Sequence, residues 1–254
     1  MDDTDATEYR EGWFTSQDGL RIYFRDYSGP EKGSATPVLC LPGVTRNSKD
    51  FARLAERLSA RHRVICPDFR GRGRSQYDPD WNHYIPPTYA DDVRHLLISL
   101  GIHRVHVIGT SLGGIVAMVM AVAIPSVLAS VVLNDIGPEI GSSALSSIMD
   151  YMKDDTPLAD WDTAAGHVRA AYLPNLPRGT QDDWMEIARH TYRENADGML
   201  VHDWDYAIVK QFEQAMSRRF DLWPLFMALG RVPVLCVRGA LSSILSQQTL
   251  DRMK

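Results

Sequence analysis

Residues 106–114, His106-Val107-Ile108-Gly109-Thr110-Ser111-Leu112-Gly113-Gly114, run from an apolar strand through a glycine-flanked serine into an apolar helix. Val105 to Ile108 is a short run of the kind that forms a buried strand, and residues 112–124 continue with almost no polar interruption, as a covered helix does. A Gly-x-Ser-x-Gly turn between strand and helix forces its serine into a tight, strained backbone, with room only for glycine at positions 109 and 113. A serine hydroxyl is a poor nucleophile unless it is aimed at a base and at donors that receive negative charge. Ser111 therefore reads as a nucleophile. The start of the helix adds a positive dipole end and free amide N–H groups, and that of Leu112 is a ready oxyanion donor.

Working outward, Pro37-Val38-Leu39-Cys40-Leu41 is a continuous apolar run of the sort that central parallel strands need. It ends in Pro42-Gly43-Val44-Thr45, and Phe51, Leu54, Ala55 and Leu58 then mark a helix capped by Asn47 or Ser48. This second strand, glycine turn and helix place the backbone N–H of Val44 toward the space in front of Ser111. Residues 63–67 form a further strand. They lead into Asp68-Phe69-Arg70-Gly71-Arg72-Gly73-Arg74-Ser75, a loop expected to be tied together by Asp68 and its arginines and to take no direct part in catalysis. Ala90, Val93, Leu97 and Leu100 predict a helix stopped by Gly101, and Val131 to Asp135 the next strand. Residues 12–27 read as an antiparallel hairpin about Gln17-Asp18-Gly19. The fold class is thus α/β: a mostly parallel, doubly wound sheet with its chemistry at the C-terminal ends of the strands, where Val44, Ser111 and Asp135 lie.

With 254 residues, 44% hydrophobic and 23% charged, the chain can bury one large core. A net charge of -5 gives no basic field for nucleic acid or acidic membranes, so the expected partner is a small-molecule substrate. Cys40, Cys66 and Cys236 are an odd set inside predicted strands, which suits reduced thiols in a cytoplasmic protein. The acidic opening Met1-Asp2-Asp3-Thr4-Asp5 has no secretory-signal character, and no apolar run is long enough for a membrane span. No cofactor motif is present. The histidines at 167, 190 and 202 lack metal spacing, so no metal is assigned.

Leu41-Pro42-Gly43-Val44, residues 68–75 and Gly109-Thr110-Ser111-Leu112-Gly113-Gly114, in this order and spacing, resemble the α/β-hydrolase family over roughly residues 12–253. The resemblance implies Ser111 as nucleophile and the amides of Val44 and Leu112 as the oxyanion hole. It also implies a core of residues 1–136 and 220–254, with a helical cap at 137–219 between the sixth and seventh strands. Residues 143–152, 161–172, 182–192 and 206–216 are the helical patterns in that stretch, which carries no strand signal. Its aromatics and methionines, Met149, Tyr151, Met152, Trp161, Tyr172, Trp184, Met185 and Tyr192, either line an acyl pocket or pack the helices.

Two departures from the family pattern follow. The carboxylate that orients the catalytic histidine commonly sits just past the seventh strand, residues 231–239, yet Ser243 stands in its place, and a serine cannot stabilise imidazolium as an anion does. Asp135, after the sixth strand, is the alternative acid. The family's catalytic histidine follows an eighth strand, whereas the last histidine here is His202. The expectation is that a final strand and helix are missing, which would leave apolar surface on Val234, Cys236 and their neighbours. His83 is the one substitute base the loops offer. The expected activity is hydrolysis of a carboxylic ester or lactone through a serine acyl-enzyme. Cleavage of a carbon–carbon bond in a diketone-like substrate and a non-catalytic ligand-binding role are the alternatives.

Overall fold

The computed structural model describes residues 9–30, 35–174, 176–218 and 220–254. Strands β1 (Tyr9–Thr15) and β2 (Arg21–Tyr27) form the predicted antiparallel hairpin, with Gly19 at φ +89° in its turn, a conformation in which glycine carries no Cβ penalty. Then β3 (Val38–Leu41) leads through a 3-10 turn capped by the Asn47 side chain into α1 (Ala52–Ser59), and β4 (Val64–Pro67) follows. Helix α2 (Pro86–Ser99), β5 (Val105–Thr110), α3 (Leu112–Ala123) and β6 (Leu128–Asn134) complete the first part of the chain. After a long insertion, α8 (Trp223–Ala228), β9 (Val234–Val237) and α9 (Gln247–Arg252) return to the sheet; helices α4 to α7 belong to the insertion.

The sheet runs β1-β2-β4-β3-β5-β6-β9, antiparallel at β1, β2 and β4 and parallel from there on. Central strands β3 and β4 are buried along their whole length, because helices cover both faces. One face carries a core of Leu39, Leu41, Ile65, Val107, Leu133 and the α2 and α3 side chains; Val38, Cys40, Val64 and Cys66 face α1 on the other. All three cysteines are free thiols, Cys236 half-buried.

The insertion contains α4 (Ser142–Lys153), α5 (Trp161–Tyr172), α6 (Gln181–Thr191) and α7 (Ile208–Met216), close to the four predicted helical stretches. It also contains a hairpin of β7 (Tyr192–Glu194) and β8 (Leu200–His202), which corrects the expectation of a strand-free segment. Asp197-Gly198, with Gly198 at φ +76°, makes its turn. Met149 and Met152 join the main core, while Trp184 and Tyr192 join a smaller cluster of α5, α6 and the hairpin, so most of the aromatics and methionines of this segment pack helices.

At the β9 edge the expected apolar surface falls on the neighbours Leu235 and Val237, 58% and 41% exposed, while Val234 and Cys236 are half-buried. Side chains alternate across a strand, and the main core covers the Val234 and Cys236 side.

Candidate active site

The turn at Ser111 has the strained geometry its sequence predicts. Ser111 sits at φ 50°, ψ −115°, a region that non-glycine residues rarely occupy, and its N–H donates to the Asn134 carbonyl at 3.1 Å. Two close approaches require glycine. A Cβ on Gly109 would lie 2.5 Å from the Gly113 carbonyl oxygen, and one on Gly113 would lie 2.5 Å from the Leu41 carbonyl carbon. The second contact seats the start of α3 directly on the end of β3, which brings the Gly43-Val44 turn over Ser111. A Cβ on Gly43 would stand 3.9 Å from Ser111 Cβ.

Among the described residues, the N–H groups of Val44 and Leu112 have no hydrogen-bond acceptor. Leu112 is the first residue of α3, where no intrahelical partner exists. The Val44 carbonyl accepts from Arg72 Nε at 2.9 Å, which fixes the turn from behind. Arg72 is buried and also donates to Tyr89 Oη and the Arg70 carbonyl. The loop of residues 68–75 is therefore structural, as expected. Burial raises the Asp68 carboxyl pKa, opposed by the N–H groups of Arg74 and Ser48 that bond to it. Arg70 is held by Asp92, Asp18 and Asp78. Asp18, Asp78 and His83 form the one cluster of metal-type ligands among the described residues, and the Arg70 charge already fills it.

Asp135 follows the residue that accepts the Ser111 N–H. It too has positive φ, at 55°, and its Oδ1 accepts from the Gly239 N–H at 3.1 Å. Ser243 is exposed, its side chain makes no hydrogen bond among the described residues, and its carbonyl lies over Gly141. None of the eight histidines hydrogen-bonds to Ser111. His83 is engaged instead by Asp78 at 3.0 Å.

Two features of this region carry no sequence pattern. Arg46 follows the Gly43-Val44 turn, and its side chain runs to Asp50 and Thr191. Burial opposes its charge, but the Tyr172, Asp50 and Tyr151 oxygens more than offset that and hold its pKa above the usual arginine value. Burial also pushes the Asp50 carboxyl up, yet Arg46 and His190 outweigh it and hold it well below the carboxylate range. In addition, a cavity of about 300 Å³ opens between α4, α5 and the hairpin, lined by Tyr151, His167, Tyr192 and His202. Burial holds the His202 imidazole below its ordinary pKa and pushes the Tyr192 phenol up to about 12.

A mostly parallel sheet with a strained serine between strand and helix is the architecture of the α/β-hydrolases. The family model of the alpha/beta hydrolase fold matches residues 36–254, and the chain belongs to that family of enzymes. It is 30% identical over 241 residues to the 3-hydroxybutyrate-oligomer hydrolase of Cupriavidus necator, covering 92% of this chain and 81% of that one. It is 32% identical over 222 residues to the 2-(acetamidomethylene)succinate hydrolase of Mesorhizobium japonicum, with 87% and 77% covered. The solved structure of an alpha/beta hydrolase from Novosphingobium aromaticivorans superimposes with a TM-score of 0.91 at 40% identity, over 97% of this chain and 87% of that one.

Proposed function

We propose that the chain is a serine hydrolase that cleaves a carboxylic ester or lactone of a small, partly apolar substrate through an acyl-enzyme on Ser111. The observation that carries this reading is the strained Ser111 backbone with two unbonded N–H groups before it. Ser111 Oγ adds to the substrate carbonyl carbon as its proton passes to a general base, and the Val44 and Leu112 amides receive the charge that develops on the carbonyl oxygen. Collapse of the tetrahedral adduct expels the leaving oxygen, which takes that proton back from the base as the alcohol departs; water then gives a proton to the base, attacks the acyl-enzyme and releases the acid, and the proton returns to Ser111. Asp135, at the mouth of the same turn, is the carboxylate placed to orient an imidazole base. The insertion, residues 137–219, acts as the cap that shapes the substrate pocket. The similarity to a hydrolase named for 3-hydroxybutyrate oligomers supports an ester substrate.

A fluorophosphonate probe tests the assignment. It is expected to modify the peptide that contains Ser111, and the Ser111→Ala variant is expected to take up no label. Label on a peptide lacking Ser111 would reject it.

A further inference from the structure

The end of the sheet opposite Ser111 holds a depression of about 670 Å³, a volume in the range of small-molecule sites. Strands β3, β4 and β5 begin there, whereas Ser111 lies past the other end of β5. The length of β5 puts about 20 Å between the two places, so the depression is separate from the catalytic turn.

Four arginines line it: Arg10 from β1, Arg61 and Arg63 from the turn between α1 and β4, and Arg104 from the turn before β5. Asp26 is the one acid in the lining, and its oxygens already accept from Arg63 Nε at 2.9 Å and Nη2 at 2.8 Å. Arg10 has only the Ser28 hydroxyl, at 3.2 Å. The Arg61 and Arg104 side chains make no hydrogen bond or ion pair among the described residues. Arg10, Arg61 and Arg104 are thus uncompensated cations facing one concave space, in a chain whose net charge is -5. Like charges gathered in a depression repel one another, and an anion that enters relieves that repulsion.

The backbone beneath these side chains is fixed. A Cβ on Gly29 would lie 2.5 Å from the Arg63 N atom and 2.7 Å from the His62 carbonyl carbon, so residues 28–30 press directly on the turn that carries Arg61 and Arg63. Val38 N–H donates to the Arg63 carbonyl at 2.8 Å, and His62 Nδ1 lies 3.0 Å from the Thr36 carbonyl. Binding therefore orders side chains alone. Leu100 and Ile102 add an apolar wall for the uncharged part of a ligand.

A guanidinium is always charged, and its planar N–H fork matches phosphate oxygens two at a time. We propose that this depression is a second ligand site, for a small molecule that carries a chain of phosphates, with Arg10, Arg61 and Arg104 holding the phosphate oxygens. A lone phosphate carries at most two negative charges and leaves one of the three cations unmatched, whereas a phosphate chain matches all of them. Nothing in this site depends on the ester-hydrolase reading, so labelling at Ser111 does not bear on it.

Isothermal titration of the full chain with inorganic tripolyphosphate is expected to show one saturable site, with orthophosphate about tenfold or more weaker. Arg61→Gln and Arg104→Gln are each expected to weaken tripolyphosphate binding by about tenfold, the loss of one charged, hydrogen-bonded contact. Without ligand both variants should melt no lower than the wild type, because neither guanidinium bonds to anything among the described residues. Tripolyphosphate should raise the Tm of the wild type by mass action and leave that of the double variant unmoved. Arg178→Gln removes the same charge from an exposed position in the insertion and should leave the affinity unchanged. No tripolyphosphate binding, equal binding of orthophosphate, unchanged affinity in both Arg61→Gln and Arg104→Gln, or an equal loss in Arg178→Gln would overturn the site. Citrate binding more tightly than tripolyphosphate would overturn its assignment to phosphates.

Discussion

Replacing Ser111 by glycine is expected to make the protein more stable while destroying its nucleophile. The serine holds φ 50° and ψ −115°, and a non-glycine residue held in such a region costs on the order of 1–3 kcal/mol. Glycine removes that cost but brings about 0.5–1 kcal/mol of extra chain entropy to the unfolded state. The Ser111 hydroxyl makes no hydrogen bond among the described residues, so nothing else of note is lost. The net gain is then about 0–2.5 kcal/mol. For a chain of this size 1 kcal/mol moves Tm by roughly 2–4 °C, which gives a rise centred near 4 °C. The control is Ser111→Ala, which loses the same hydroxyl but keeps the Cβ and the strain. Circular dichroism on heating compares the variants, and urea midpoints repeat the comparison in case heating is irreversible. A Ser111→Gly variant no more stable than Ser111→Ala would refute the idea that strain is stored at this turn.

Gly113→Ala is expected to cost about 3 kcal/mol or more, beyond ordinary overpacking, because the new methyl meets the Leu41 backbone and not a side chain that can swing away. A lowered urea midpoint together with loss of fluorophosphonate label checks this; a normal midpoint would contradict it. Arg70→Leu is expected to cost about 3–5 kcal/mol at pH 7, since Asp78 and Asp92 would stay buried without their cation. The deficit should shrink as pH falls below about 5. In the variant the crowded carboxylates bind protons more readily than in the unfolded chain, so it gains stability on acidification. In the wild type the Arg70 hydrogen bond holds Asp18 down at about 2, so that contribution is complete above the usual 3.8 and lost as pH falls through about 2. Urea midpoints across pH 2–7 measure both slopes.

The site was legible in sequence wherever backbone conformation demanded a particular residue. Gly109 and Gly113 are required by close approach, and the strand before Ser111 and helix after it are periodic enough to read, so the strained turn at Ser111 could be placed. The tying role of residues 68–75 was legible from alternating arginine and glycine, but the partners of Arg70 and Arg72 were not, because they come from distant elements. The β7–β8 hairpin escaped notice because three-residue strands have no measurable alternation; its one signal was Asp197-Gly198. The same holds for Arg46. Its importance depends on Asp50, four residues on, and on Thr191, which only folding brings near.

The core loop that fixes Val44 also grips the insertion through main-chain atoms. Gly73 N–H donates to the Asp203 carbonyl at 2.8 Å, Asp205 N–H to the Gly71 carbonyl at 2.7 Å, and Arg72 and Trp204 form a β-bridge between them. These bonds need no particular side chain, so sequence drift hardly loosens them. The ties reach further still: Leu158, in the segment between α4 and α5, exchanges two main-chain hydrogen bonds of 2.8 Å with Leu200 of β8, so that segment is held to the same hairpin. Side chains of the insertion can therefore be exchanged while main-chain ties alone keep its hairpin in register with the loop behind Val44.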